Sequence, residues 1–463
     1  MAENRQLGKL VSSEEESAEA PAPDVRRPFL ARCVIRRSAT IFWFMFAINA
    51  LNYLDRFLVV AVGPILKSTF RLQDQDIGAL ASAFILIYIV AAVPAGLLSD
   101  RVARARVVAV GVALWSVASA ATAFAQGFRG LFVSRAAVGV GEASYYPAGT
   151  ALLSGHFPHE ERARVMSRWQ AGQILGLALA FALSAAFIHI FGEGLGWRVV
   201  FVVAGLPGLM LALLMWFVAD APATPVTASS PSVSHATTAP RGTWARVAAV
   251  LRLRTVWLVI VMQGLYFVIA TPAITFLPIY LRSRHGPFHT SSVHTALISG
   301  VVLVLGGTAG VLLGGLLADR LGRRFRGSRM LAAALGFGCA LPFFVLMLRT
   351  HSMFVFVLTG TLTVLLLNLE AGPLTAAVQD ATPPALRATA VAVVLVCSHL
   401  LGDVWSPRVV GLISTALHER TGMALFIVGM PALAVAAVVG IVGARFYAAE
   451  NITDSGSADG PLP

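Results

Sequence analysis

The sequence predicts an all-α polytopic membrane protein with twelve transmembrane helices in two six-helix repeats, and with both termini in the cytoplasm. Composition, the spacing of apolar stretches and an internal repeat lead to this prediction. The 463 residues are 57% hydrophobic and only 13% charged. So few charged residues cannot cover a soluble globule of this size, which excludes an ordinary water-soluble enzyme.

Apolar stretches of about 20 residues or more occur at twelve places, and each is long enough to cross a hydrocarbon layer of about 30 Å. The predicted spans are 39–66, 76–98, 107–126, 129–153, 165–190, 197–219, 255–281, 292–317, 329–348, 352–378, 387–416 and 423–447. They divide the chain into a disordered cytoplasmic tail (1–38), a first half (39–220), a cytoplasmic linker rich in Pro, Ala, Thr and Ser (221–250), a second half (251–448) and a C-terminal tail (449–463).

The net charge of +12 has an uneven distribution that gives the orientation. If both termini are cytoplasmic, 24 of the 35 Lys and Arg residues lie in inner segments and 8 lie in outer loops. This bias follows the positive-inside rule. The basic residues therefore face anionic lipid head groups rather than nucleic acid. We expect a monomeric multi-pass protein of the cell (inner) membrane.

Two loop motifs repeat between the halves. The segment from Gly96 to Arg104 ends the second span and the segment from Gly315 to Arg324 ends the eighth, 219 residues later, while Pro158 with Arg162 is echoed by Pro383 with Arg387. The motif residues are Gly96, Asp100, Arg101, Arg104, Gly315, Asp319, Arg320 and Arg323. An Asp at a helix end can sit against the positive N-terminus of a facing helix, so Asp100 is predicted to latch the halves. Topology signalling would explain the arginines but not the Asp in both halves.

The fourth span carries two opposite charges, Arg135 and Glu142, inside an apolar segment. Seven residues are two helical turns, so both side chains share a face, about 10 Å apart along the axis. Hydrocarbon tolerates ionisable groups only when they face a bundle interior or a water-filled cavity. Transport or proton relay is therefore favoured over the alternative, a salt bridge that only joins two helices.

A second pair of charges, Asp55 and Arg56, lies deep in the first span, about 21 to 25 Å from its cytoplasmic end. Arg135 lies about 10 Å below the outer end of the fourth span, which runs the opposite way. The two heights agree to within one turn. An Asp55–Arg135 contact is therefore predicted if the first and fourth helices are neighbours, with Glu142 lower in the same cavity.

Parallel repeats joined by a long linker are typical of the major facilitator superfamily. Within it, three motifs resemble the Spinster (sphingolipid-transporter-like) family: NYLDR at 52–56, the run from Arg135 to Tyr145, and Ser398-His399 to Pro407 after Arg387. The resemblance implies a carrier of lysolipids or sphingosine phosphate, coupled to protons, with Asp55, Arg56, Arg135 and Glu142 at the working site. The segment 146–149, Tyr-Pro-Ala-Gly, departs from the family's run, which bears on substrate identity.

The second half offers fewer charges. Glu370 echoes Glu142 but is predicted nearer the cytoplasmic side, as a gate or structural residue, and Asp403 is a candidate second titratable group and gate residue. His399 is expected to be a hydrogen-bonded residue of the bundle. Candidate cavity-lining residues are Tyr266, Thr271 and Asn368, and this apolar half would suit an acyl tail.

These features predict a secondary transporter that works by alternating access, not an enzyme, with no cofactor and no metal. Asp55 and Glu142 are the predicted proton-coupling residues. The predicted substrate-binding residues are Arg56, Arg135, Tyr53, Tyr145 and Asn52. Two alternatives stay open: a proton-coupled carrier of small organic anions, and a membrane sensor that keeps the fold without turnover. The partners of the predicted transporter are a small amphiphilic anion, protons and the lipid bilayer.

Overall fold

The computed structural model describes residues 35, 37–99, 101–220, 242–283, 288–325, 327–383 and 386–456. These residues are almost entirely helical. Besides the helices and their connections, they include one isolated bridge between Ile35 and Val218, which holds Ile35 beside the end of the first half. Most of the predicted 1–38 tail, most of the linker and the last residues of the C-terminal tail lie outside the described residues.

The helices follow the predicted order in both halves. In the first half they are α1 (Ser38–Ala61), α2 (Gly63–Phe70), α3 (Asp74–Ser99), α4 (Arg104–Thr122), α5 (Phe128–His156) and α6 (His159–Trp216). After α7 (Thr243–Leu251), the second half contains α8 (Arg254–Arg282), α9 (Ser292–Gly322), α10 (Ser328–Arg349), α11 (Met353–Asn368), α12 (Ala371–Asp380), α13 (Arg387–Ser398), α14 (Ser406–Ala416) and α15 (Thr421–Gly456).

Ten stretches of helix in the described part of the chain are long and apolar enough to cross a membrane. One of them, Arg164–Trp216, is 53 residues long and is broken at Gly192, whose φ of 73° is unfavourable for a residue with a side chain. Helix α5, which carries Arg135 and Glu142, is not among the ten because small and polar residues interrupt its apolar sequence. Twelve crossings with cytoplasmic termini stay a prediction.

Three of the predicted spans are not continuous helices. Residues 39–66 break at Val62, before Gly63 and Pro64, because proline cannot donate a backbone hydrogen bond. Residues 352–378 break between α11 and α12, next to Glu370. Residues 387–416 contain a π-helical segment, His399–Asp403, a distortion that often marks functional sites.

Small residues let the helices of the first half approach closely. A Cβ on Gly141 would lie 2.7 Å from the Trp115 backbone nitrogen of α4, and a Cβ on Gly176 would lie 2.1 Å from the Ala50 carbonyl oxygen of α1. Both distances are shorter than any real Cβ contact. Glycine at these two positions therefore brings α5 and α6 close to α4 and α1, which positions the charged residues of α1 and α5.

We call the end of the bundle that carries Ile35, Val218 and the repeated loop motifs the inner end, and the opposite end the outer end. Hydrogen bonds join the two halves at the outer end, between α3 and α14 and between Glu193 and the α8–α9 region. At the inner end a Cβ on Gly96 would meet no atom within 4 Å, and Arg101 is exposed. The described arrangement is therefore closed at the outer end.

The motif residues at the inner end differ in their contacts. Asp100 lies outside the described residues, so its latch role stays a prediction. Asp319, Arg320 and Arg323 are exposed, and Arg387 donates from Nε to the carbonyl oxygens of Gln379 and Thr382. The carboxylate at the start of α4 is that of Asp220, which accepts from the backbone nitrogens of Arg104 and Ala105 at 2.6 and 2.9 Å. Sequence reasoning missed this cap because Asp220 follows the last span of the half.

Candidate transport site

The centre of the first half contains an ion pair between α1 and α5. Arg56 donates from Nη2 to Glu142 Oε2 at 2.9 Å and from Nε to the same oxygen at 3.3 Å. The Glu142 side chain is 0% exposed and that of Arg56 is 28% exposed. Glu142, which was predicted to face inward, does so, and it pairs with Arg56 across 86 residues of sequence, a contact that was not predicted.

Asp55 lies beside this pair and has a different partner. Its Oδ1 accepts a hydrogen bond of 2.6 Å from Ser119 Oγ on α4. Arg135 does reach Asp55, as the matching heights predicted, but its Nη1 donates to the backbone carbonyl oxygen at 3.3 Å and not to the carboxylate. Arg135 forms no ion pair with any residue that the structure describes.

Aromatic rings from α1 and α3 surround the two guanidinium groups. The Arg56 guanidinium lies 5.2 Å from the ring centres of both Phe84 and Tyr88 and 5.3 Å from that of Tyr53, and the Arg135 guanidinium lies 4.9 Å from Phe84. At these distances the rings stabilise the cations by cation–π attraction. Phe84 and Tyr88 were not predicted, although their i, i+4 spacing on α3 was a usable signal.

Each of the two carboxyl groups has one oxygen without a partner. Asp55 Oδ2 and Glu142 Oε1 are buried and accept no hydrogen bond from the described residues. Buried polar atoms in proteins are nearly always hydrogen bonded, so such exceptions need an explanation. A proton, or a donor on a bound substrate, would satisfy either oxygen.

The remaining predicted binding residues divide into two groups. Tyr53 is half-buried beside Arg56. Asn52, the residue before Tyr53, is 4% exposed. Tyr145 instead packs against Trp115 and Trp169, and its hydroxyl donates to the Met45 carbonyl oxygen and accepts from Trp169 Nε1. This geometry corrects the predicted substrate contact of Tyr145 to a packing role, because its only polar atom is already bonded.

A second polar cluster lies inside the other half, and the predicted gate role of its Asp403 stays a prediction. Asp403 accepts from Thr271 Oγ1 and is 2.6 Å from His399 Nδ1, and the imidazole stacks on Phe267 with ring centres 4.2 Å apart. The π-helical segment brings His399 and Asp403 together because they are its first and last residues. Asp403 is thus part of the bundle interior, and Thr271 serves this cluster rather than lining the pocket described next.

An apolar pocket lies within the second half, among α8, α9, α10, α11 and α15. It is lined by Tyr266 and Asn368, as predicted, and by apolar side chains including Ile274, Leu277 and Phe344. Tyr266 donates to Asn368 Oδ1 at 3.2 Å, which satisfies both groups at one edge. Glu370 is buried at the break after α11, about ten residues from the end of α12, and its role as a gate or structural residue stays a prediction. Its Oε2 has no partner among the described residues.

Among the described residues, no group of three or more His, Cys, Asp or Glu side chains is arranged to hold a metal ion. Comparison with known proteins identifies the family of the chain. The profile of the Major Facilitator Superfamily matches residues 45–407. Protein spinster homolog 1 of Homo sapiens is 30% identical over 83% of this chain and 74% of its own length. The chain belongs to the Spinster family of the Major Facilitator Superfamily.

Other Spinster proteins extend the similarity over nearly the whole chain. Protein spinster homolog 1 of Xenopus laevis is 28% identical over 94% of this chain and 85% of its own length. The fold matches a bacterial homolog of the human lysosomal transporter Spinster, in an inward-facing and unoccupied conformation, with a TM-score of 0.73 and 21% identity over 92% of this chain and 99% of that one. The chain is therefore a polytopic membrane transporter of the Spinster family, and the family and fold place it among transporters rather than enzymes.

Proposed function

We propose that this Spinster-family transporter is a proton-coupled carrier of a single-chain amphiphilic anion, of the lysolipid or sphingosine-phosphate class. It works as a monomer in the cell membrane by alternating access of its two halves. The observation that carries the proposal is the group formed at the meeting of α1 and α5 by two buried carboxyl groups, the buried Arg135 and the partly exposed Arg56. Intramembrane charges of this kind are usually tied to transport or proton relay.

Arg135 is the proposed partner of the anionic head group. It is buried and, among the described residues, donates one hydrogen bond, to a backbone carbonyl oxygen, and forms no ion pair. A guanidinium binds phosphate or carboxylate through paired, charge-assisted hydrogen bonds. Arg56, with its side chain partly exposed, adds a second positive charge on the same side of the bundle.

Asp55 and Glu142 are the proposed proton carriers. An anion that binds Arg56 competes with Glu142 for its guanidinium, and the carboxylate that loses this contact is then stabilised by taking up a proton. The free oxygen on each carboxyl group leaves room for that proton. Substrate binding and proton binding are linked in this way, because both draw on the same two arginines.

The apolar pocket of the second half is the proposed place for the end of the substrate chain. It has about 40 Å³ of open space. Since a single water needs about 10–15 Å³ by the same measure, the pocket admits a short apolar group but not a whole acyl chain in the described arrangement. That size is also the observation that favours the second candidate function, a carrier of small organic anions.

Replacing Arg135 with alanine is expected to weaken uptake of an anionic lysolipid about tenfold or more, because a hydrogen bond to a charged group is worth about 1.5–3 kcal/mol. Lysine is expected to rescue poorly, since it cannot make paired hydrogen bonds. Uptake into liposomes under a pH gradient is the measurement. Arg129→Ala, an exposed arginine at the start of the same helix, is the matched control and should behave as wild type. Normal uptake by Arg135→Ala would make Arg135 structural.

Competition between lysolipids and small carboxylates for the purified protein separates the two transport candidates. Lysolipid binding that small carboxylates do not displace supports the amphiphile, and carboxylate binding that lysolipids do not displace supports the organic anion. Binding without flux in liposomes would instead support a sensor.

Replacing Asp55 with asparagine is expected to preserve substrate binding and to abolish the dependence of uptake on a pH gradient. Asparagine keeps the acceptor for Ser119 but cannot titrate. Accumulation in liposomes with and without the gradient, together with a binding isotherm, measures both effects. Asp76→Asn, at a half-buried outer position, is the control. Gradient-driven accumulation that persists in the Asp55→Asn, Glu142→Gln double variant would remove both residues from coupling and direct attention to Asp403.

A further inference from the structure

A second pocket opens at the outer end of the second half, away from the charged group of α1 and α5. Its volume is about 600 Å³. The lining comes from the three connections α8–α9, α10–α11 and α14–α15, with Tyr280 and Leu348 at its floor. The lining residues are Tyr280, Ser283, His289, Leu348, Arg349, Thr350, His351, Arg420, Thr421, Gly422 and Met423.

Of the described residues, four basic side chains and no acidic one line this outer pocket: His289, Arg349, His351 and Arg420. None of the four forms an ion pair with a residue that the structure describes. The neighbouring carboxylate, Glu419, is already paired with Lys67 of the first half. The outer pocket therefore brings two arginines together without an ion-pair partner among the described residues, since the nearby carboxylates Asp74 and Glu419 both pair with Lys67.

A backbone turn on one side of the outer pocket places the side chains of Glu419 and Arg420 beside different partners. His418 and Glu419 both have left-handed φ values, 57° and 65°, which are costly for residues other than glycine. This turn leaves Glu419 bonded to Lys67 while Arg420 lines the pocket. Because this strained turn separates Arg420 from the oppositely charged Glu419, it indicates that Arg420 binds a group other than its neighbour.

The floor of the outer pocket is also the roof of the apolar pocket. Tyr280 and Leu348 line both, and Tyr280 donates from its hydroxyl to the Leu348 carbonyl oxygen at 3.0 Å. The Tyr280 ring packs on Gly422, where a Cβ would lie 2.6 Å from the ring. The basic outer pocket thus lies directly above the apolar pocket, and Tyr280 lies between the two.

We propose that the outer pocket binds a single-chain amphiphile with a phosphate head. Arg349 and Arg420 hold the phosphate through charge-assisted hydrogen bonds, His289 and His351 donate further ones, and the chain lies toward Tyr280. The phosphate-binding part of this site is distinct from the proposed head-group site of transport, because it uses no residue of the first half. It stands whether the transported substrate is a lysolipid or a small organic anion.

Calorimetric titration of the full chain in zwitterionic nanodiscs with octyl phosphate tests the proposal. The Arg135→Ala background is used so that binding at the transport site does not contribute. The Arg349→Gln, Arg420→Gln double variant is expected to bind about tenfold or more weakly than its background. Arg129→Gln, which removes an exposed outer arginine from the first half, should leave binding unchanged.

Glycerol phosphate in place of octyl phosphate shows what the outer pocket recognises. We expect it to bind about tenfold more weakly than octyl phosphate, because it has no apolar chain to reach Tyr280. Equal binding of the two would reduce the site to one for free phosphate and overturn the amphiphile. Unchanged octyl phosphate binding in the double variant, or none in wild type, would overturn the site itself.

If the double variant does not fold, two single variants still test the proposal. Arg420→Gln and His351→Gln are each expected to weaken octyl phosphate binding about threefold. Monodisperse elution and an unchanged melting temperature establish that each is folded. Wild-type affinity in both folded single variants would then refute the proposal.

Discussion

Exchange of Glu142 for glutamine is expected to abolish proton-driven uptake and to destabilise the protein by about 3 kcal/mol. The Glu142 carboxylate is fully buried and is the only ion-pair partner of Arg56 among the described residues. Removing one member of a buried pair leaves the other charge uncompensated, which costs more than the pair itself contributes. Thermal unfolding in detergent and uptake into liposomes measure the two effects.

A double-mutant cycle with Arg56→Gln separates the pair from its surroundings. Because the double variant has no stranded charge, we expect it to regain most of the lost stability while remaining inactive in transport. Glu193→Gln is the matched control: it breaks an ion pair with Arg282 whose side chains are 27% and 44% exposed, and exposed pairs contribute about 0–1 kcal/mol. Additive losses of stability in the cycle would contradict a direct pairing of Arg56 with Glu142.

Replacing Asp74 with asparagine is expected to open the outer end of the bundle. Asp74 is fully buried at the start of α3, where it accepts from Lys67 Nζ at 2.5 Å, Ser414 Oγ at 2.5 Å and Thr421 Oγ1 at 2.8 Å. The last two residues belong to the second half, so this carboxylate contributes three of the contacts that close the outer end, two of them directly between the halves. An amide is a weaker acceptor for all three donors and cannot pair with Lys67.

Spin labels at the exposed positions Gln73 and His418, after replacement of the native cysteines, measure the opening. We expect the distance distribution to gain a longer population in Asp74→Asn and to stay unchanged in Asp76→Asn. Gly78→Ala is a second route to the same result, since its Cβ would lie 2.2 Å from the Pro407 carbonyl oxygen of α14. Unchanged distances in both Asp74→Asn and Gly78→Ala would show that other contacts close the outer end.

Much of the molecule could be predicted from the pattern of residues along the chain. The apolar stretches predicted the order of the helices because burying a backbone in hydrocarbon requires its hydrogen bonds to be satisfied within each helix. The motifs around Asp55, Arg135 and Ser398 predicted the Spinster family, which the comparisons confirmed. The inward direction of Glu142 also followed from the sequence, because an intramembrane charge has no other stable position.

The partners of those charges were decided only by the tertiary structure. Helical spacing fixes which residues of one helix share a face, but not how far its neighbours are rotated or shifted along their axes. Close packing at Gly141 and Gly176 sets those rotations, and it brings Arg56 to Glu142, Ser119 to Asp55 and the Tyr145 hydroxyl into a packing contact. The sequence by itself determined the helices, the repeat and the buried charges, because these depend on the transfer of single residues into hydrocarbon. The ion pair, the helix breaks and the outer basic pocket depend on contacts between residues far apart in the chain, which only the packed helices define.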